Sequence, residues 1–203
     1  MITILIVIST AIISIVCFQQ RDLFHRLDFS PYNINNKNEW YRFISHGFLH
    51  ADWIHLIVNM LVFFSFGSYV EKIFGMLEDR ELIFSGKIFY LLLYFGGMII
   101  ASVSSFLKHK NDPYYISVGA SGAVSAVLFT SIFFTPMEKI YFYGVIPMPG
   151  IVFGILYLIY SSYMARSGKG NVNHDAHLWG AIFGFVFPVI LDTSLIQNFI
   201  HQF

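Results

Sequence analysis

Ionisable and strongly polar side chains set inside long apolar runs are costly, and each is a candidate for function. Here they form three groups: His46, His50, His55 and Asn59; the run Gly119-Ala120-Ser121-Gly122; and His174, Asp175 and His177. Together they supply the parts of an acyl-transfer site. A serine hydroxyl becomes a nucleophile when a neighbouring base takes its proton, and the oxyanion that forms needs fixed donors nearby. Ser121 is the candidate nucleophile, because its flanking glycines permit a tight turn and a helix starting there aims unpaired N–H groups at negative charge. His177 is the candidate base. His55 and Asn59 are spaced i, i+4 and share one helical face, which makes them candidate oxyanion donors. Asp175 is two residues from His177 and points elsewhere on a helix, so the pattern predicts a dyad without an acidic third member. Plainer roles exist for the same residues. A serine between glycines can serve close helix packing, and an intramembrane histidine can serve a hydrogen-bonded core.

Those groups must be positioned by a membrane bundle. Of 203 residues, 56% are hydrophobic and only 12% charged, against about 25% charged in a soluble domain. Apolar runs lie at about 2–18, 53–70, 88–107, 118–134, 150–164 and 177–195. As helices, such runs pair their own backbone groups across roughly 30 Å of hydrocarbon. The expected fold is one all-α membrane domain over 1–203, a bundle of six transmembrane helices. The first run reads as an uncleaved span, since no basic cluster precedes it and no small-x-small cleavage site follows. With six spans, the second, fourth and sixth enter from one surface. At about 1.5 Å per residue, Ser121, His177, His55 and Asn59 then share one depth, within about two turns of that surface.

Charge narrows the partners. Twelve basic and twelve acidic residues cancel, so nothing suggests nucleic acid, and the partner implied by composition is the lipid bilayer. The single cysteine, Cys17, leaves no internal disulfide to form. The connectors after the first, third and fifth spans carry Arg21, Arg26, Lys37, Arg42, Lys108, Lys110, Arg166 and Lys169; the others carry Lys72, Arg80, Lys87 and Lys139. Read literally, the positive-inside rule puts the first set in the cytoplasm. Without the four bases of the long connector 19–52, the two sides are equal. That connector interleaves Phe24, Phe29, Tyr32, Trp40, Tyr41, Phe43 and Phe48 with its bases, a mixture suited to the headgroup region. Hydrolysis needs water, so the Ser121 region is expected to open to a wet cavity, capped by a loop over Arg166–Asn173 whose Gly168 and Gly170 give it freedom.

Gly180 and Gly184 form a G-x-x-x-G that lets a neighbouring helix approach closely, and the small residues Gly119, Ala120, Gly122, Ala123 and Ala126 make the fourth span that neighbour. Three stretches now stand in order. They are W-Y-R-F-I-S-H-G-F-L-H-A-D-W-I-H-L-I-V-N-M from Trp40 to Met60, G-A-S-G at 119–122 and A-H-L-W-G-A-I-F-G at 176–184. In combination they resemble the rhomboid family of intramembrane serine proteases. The resemblance implies a six-helix core, a Ser121–His177 dyad, and an oxyanion served by His55, Asn59 and Gly119 with the Ser121 backbone. It also implies that Arg42 anchors the aromatic connector, with Glu39 and Trp40 in the same motif. The implied chemistry is peptide-bond cleavage in or beside the transmembrane helix of a membrane-protein substrate, with no metal and no organic cofactor. By the same resemblance this is a multi-pass protein of a bacterial plasma membrane, with the dyad opening to the external or periplasmic side; the oligomeric state stays open. Two positions depart from the family pattern. Tyr41 stands where Trp is usual before the arginine. Ser125 stands where an aromatic usually stacks on the histidine, which leaves His177 without that support. The rival readings are a catalytically dead relative that binds membrane proteins, a transporter with a histidine relay, and a metalloprotease. The last wants H-E-x-x-H, and no glutamate accompanies these histidines.

Overall fold

The structure, a computed structural model, describes residues 1–142, 144–167 and 172–203. Helix α1 (Ile2–Gln19) leads into three short helices, α2 (Arg21–Leu27), α3 (Pro31–Lys37) and α4 (Arg42–Ser45). Then come α5 (Trp53–Asp79), α6 (Gly86–His109), α7 (Ser121–Phe134), an antiparallel hairpin of β1 (Lys139–Phe142) and β2 (Ile146–Pro149), α8 (Gly150–Ser167), α9 (His174–Leu191) and α10 (Leu195–Ile200). The architecture is an all-α membrane bundle. Helices α1, α5, α6 and α9 are each long and apolar enough to cross a membrane. The other two expected spans fall on α8, with 18 residues, and α7, with 14. Fourteen residues rise about 21 Å, short of the roughly 30 Å of hydrocarbon.

Three helix ends differ from the runs read in the sequence, each for a local reason. Helix α5 continues to Asp79 past Glu71, because the Glu71 carboxylate accepts the N–H groups of Ile2 (2.6 Å) and Thr3 (3.0 Å) and the Thr3 hydroxyl (2.7 Å) at the start of α1. A charge that would end an apolar run is absorbed by the unpaired donors of a helix N-terminus. Helix α7 begins at Ser121, not 118, because Gly119 has φ 121° and Ser117 is paired with Phe29 through two backbone bonds of 2.9 and 3.0 Å. Helix α9 begins at His174, ahead of the expected 177, because the Asn173 side chain accepts the Ala176 N–H at 3.1 Å as its cap.

Helix α7 is the centre of the bundle, buried at every position from Gly122 to Phe133. Small residues let its neighbours reach it. A Cβ on Gly180 would strike the Gly122 carbonyl oxygen, and one on Gly184 would strike that of Ala126, so α9 lies backbone-close to α7. On the α6 side, Gly97 faces the Ala126 methyl and Gly122 faces that of Ala101. Below this seam the core is aromatic and aliphatic, with Phe63, Phe74, Tyr94, Val127 and Phe187 buried together. Leu5, Ile8 and Ile12 of α1 and Ile54, Ile57 and Leu61 of α5 are exposed, as lipid-facing positions are.

The connector 19–52 folds back around Arg42, whose side chain is buried. Its Nε donates to Glu39 (2.6 Å), and Nη1 donates to the Asp28 carboxylate (2.8 Å) and to the carbonyls of Asp28 (2.7 Å) and His25 (3.1 Å). Burial pushes the Asp28 carboxyl up, and the His25 and Arg42 contacts pull it back. Tyr41 donates its hydroxyl to the Arg26 carbonyl at 3.0 Å. Trp40 and Phe43 lean on Phe106 of α6.

Candidate active site

Ser121 is the first residue of α7. The first bond of that helix runs from the Val124 N–H to the Ala120 carbonyl (2.9 Å), so the N–H groups of Ser121, Gly122 and Ala123 have no carbonyl of their own helix to bond. The left-handed Gly119 makes the sharp entry. It also leaves room, since a Cβ there would lie 2.8 Å from the His55 ring. The Gly119 N–H donates to the His46 carbonyl at 3.0 Å. That bond engages the Gly119 N–H within the protein.

His177 stands on the first turn of α9, facing the same end of α7. Gly122 lies against Ala176, and Ser121 and Ala176 line one small cavity. Asp175 is held at 2.6 Å by the Lys108 ammonium, and among the described residues no carboxylate is hydrogen-bonded to His177. Its ring is packed by other rings: His174 edge-on at 5.8 Å, and Tyr157 of α8 stacked at 6.2 Å and 23°.

Helix α5 brings the second pair. Asp52 caps it by accepting the His55 N–H at 2.8 Å. The Ala51 N–H donates to His55 Nδ1 at 3.4 Å; a backbone N–H cannot accept, so neutral His55 carries its proton on Nε2, the atom beside Gly119. Asn59 is buried and donates one amide hydrogen to the His55 carbonyl at 2.9 Å. Its second amide hydrogen is left for another acceptor.

The cavity beside Ser121 is about 20 Å³ and includes His46, Ser102, Ser117 and Asn173 in its wall. Roughly 10–15 Å³ with two to four polar partners suffices for one water. His46 donates Nδ1–H to the Arg42 carbonyl (2.7 Å), which leaves Nε2 an acceptor 3.3 Å from the Ser102 hydroxyl. His50 meets Ser14 of α1 through Nδ1 at 3.0 Å, and its Nε2 is buried without a partner among the described residues. Burial holds His46 down to about 4 and His50 down to about 3. Half of the expected cap over the site falls on residues 168–171, which lie outside the described residues. A larger apolar groove of about 220 Å³, lined by Met76, Arg80, Phe133 and Phe199 among others, includes none of the residues grouped around Ser121.

The Rhomboid domain matches residues 37–193 of this chain, well over half of its 203 residues. The chain belongs to the rhomboid family. Among its rhomboid relatives, the putative rhomboid protease YdcA of Bacillus subtilis is 30% identical over 156 residues, covering 76% of this chain and 69% of that one. RHOMBOID-like protein 12, mitochondrial, of Arabidopsis thaliana is 30% identical over 143 residues, covering 68% of this chain and 42% of its own length. Rhomboid protease GluP of Bacillus subtilis is 29% identical over 149 residues, or 73% of this chain and 25% of that one. The chain thus spans under half the length of some of the rhomboids it matches. It is an integral membrane rhomboid with an all-α membrane domain.

Sequence reasoning missed three residues around the rhomboid site. Asn173 caps α9 and bonds Ser105 (2.8 Å) and Tyr115 (3.2 Å), tying the start of α9 to α6; the signal was an Asn just ahead of an apolar run. Ser102 lies under His46. Tyr157 had a signal in its spacing, since Gly150, Gly154, Tyr157 and Ser161 repeat every three or four residues and form the inward stripe of α8.

Proposed function

We propose that this rhomboid is an intramembrane serine endopeptidase that hydrolyses a peptide bond in or beside the transmembrane segment of a membrane-protein substrate, with Ser121 as nucleophile and His177 as base. The observation that supports the reading is that Ser121 opens α7 with unpaired N–H groups, while its neighbour Gly119 lies against the His55 ring and its neighbour Gly122 lies against Ala176, the residue before His177. His177 takes the Ser121 hydroxyl proton as Oγ attacks the scissile carbonyl. The oxyanion receives the Ser121 N–H, the His55 Nε2–H and the free amide hydrogen of Asn59. His177 then gives its proton to the leaving amine, which departs and leaves an acyl-serine. A water entering from the cavity beside Ser121 gives a proton to His177 and attacks the ester, and the proton returns to Ser121 as the acid product leaves. The same reading places the dyad toward the external or periplasmic face of a bacterial plasma membrane.

A fluorophosphonate tests the nucleophile directly. It should bond covalently to the purified protein, with the adduct on the peptide holding residues 119–122 by mass spectrometry. Labelling should vanish in Ser121→Ala, fall strongly in His177→Ala and resist a chelator, and cleavage of a single-span substrate in liposomes should track it. A dead relative takes no label, a transporter moves ions without Ser121, and a metalloprotease stops when chelated. Cleavage that persists in Ser121→Ala overturns the reading.

A further inference from the structure

A base that receives a proton must be held in one orientation, and serine hydrolases commonly use a carboxylate behind the imidazole for this. Here the acid nearest in sequence, Asp175, is bound to Lys108. His174 touches His177 only with its ring edge-on at 5.8 Å. The imidazole lies roughly parallel to the Tyr157 ring, at 6.2 Å between centroids and 23° between planes, within the range of offset stacking. That tyrosine is itself tied. Its hydroxyl lies 2.6 Å from Ser125 Oγ, and Ser125 is buried one turn below Ser121 on the same face of α7, about 6 Å along the axis.

We propose that Tyr157 is the positioning residue for His177, with Ser125 fixing the tyrosine so that its ring sets the angle of the imidazole toward Ser121. The proposal rests on the dyad reading above. The three helices close a ring of contacts: α7 supplies the nucleophile and, one turn lower, the hydroxyl that ties Tyr157; α8 supplies the stacked ring; α9 supplies the base. The aromatic that Ser125 does not supply from α7 comes from α8, and the two side chains meet through their hydroxyls. An aromatic face also favours the imidazolium formed as the serine loses its proton.

The test uses the full chain in liposomes with Tyr157→Leu, Tyr157→Phe and Ser125→Ala, each checked for a parental melting midpoint. In Tyr157→Leu, kcat and the rate of fluorophosphonate labelling at Ser121 should fall together by on the order of 10- to 100-fold, the scale of a misplaced catalytic group, with KM unchanged. Tyr157→Phe keeps the ring and should recover to within roughly fivefold of the parent, the weight of one hydrogen bond. Ser125→Ala should match it. If Tyr157→Leu does not fold, Tyr157→Met takes its place under the same criteria. A folded variant with parental kcat and labelling overturns the positioning role, as does a rise in KM alone or a Phe variant as slow as Leu. If the parent takes no label at Ser121, the dyad reading itself fails. If the parent is labelled and Tyr157→Leu is labelled equally fast, only the positioning role falls.

Discussion

A backbone N–H on one ring nitrogen decides where His55 keeps its proton, and that small choice turns a half-buried histidine into a donor beside Gly119, two residues from Ser121. Asn59 works from the same helical face with an amide only half committed to its own helix. Because that one bond is to the His55 carbonyl, Asn59→Ala should leave the fold nearly intact. The loss of an oxyanion donor should lower kcat by about 10²–10³, or about 2.7–4 kcal/mol in the transition state. Kinetics in liposomes beside a melting curve would check this, and a folded Asn59→Ala that cleaves at the parental rate removes Asn59 from the oxyanion. Residues of this kind were legible in the sequence because a polar group in hydrocarbon is conspicuous. Tyr157 was not. A tyrosine inside an apolar run is ordinary, and only the approach of α8 to α9 sets its ring on the histidine.

Among the elements, the closest approach is between α7 and α9, where glycines stand against carbonyl oxygens. Gly180→Leu would drive a branched side chain into the Gly122 carbonyl, one residue from Ser121. It should lower the melting midpoint and activity together, because overpacking a tight seam costs typically 1–3 kcal/mol; unchanged melting and activity would mean that the seam is not required. The G-x-x-x-G spacing gave that seam away in the sequence. The extent of α5 was hidden, because Glu71 and Lys72 break the apolar run and the partner of Glu71 lies 69 residues earlier. The start of α7 was hidden too, because the left-handed turn at Gly119 is set by Phe29 and His46 from the connector. The β-hairpin between α7 and α8 carries four-residue strands, too short for a periodicity to show.

At the scale of the whole molecule, two neutral histidines tie stability to acidity. His46 and His50 titrate near 6.5 when unfolded but are held down to about 4 and about 3 by burial. Between those values the unfolded chain binds more protons, so stability is full above about 6.5 and is lost as the pH falls. Each pH unit in which one ring is held neutral costs about 1.4 kcal/mol. Melting midpoints in detergent should therefore drop steadily from pH 7 to 4.5, and a flat profile would mean that these rings are not held neutral. Orientation is also a property of the whole chain, and the count of bases was evenly divided once the connector folded as a unit around Arg42. Val172→Cys, exposed at 52% in the parent, in a Cys17→Ser background should react with an impermeant maleimide on intact cells. Labelling only after lysis would invert the topology. The all-α membrane class was plain from composition, while the depth of each helix depended on contacts between distant segments. Those contacts also give the molecule a history. Helix α9 leaves the ribosome after α7, and it alone both carries His177 and lays its glycines against the Gly122 and Ala126 carbonyls of α7. A nascent chain thus holds its serine long before its histidine, with that face unsealed. On the proposed dyad reading, the docking of α9 brings the base to the serine and seals that face in one step, so a chain that stops short of α9 would not cleave its neighbours in the membrane.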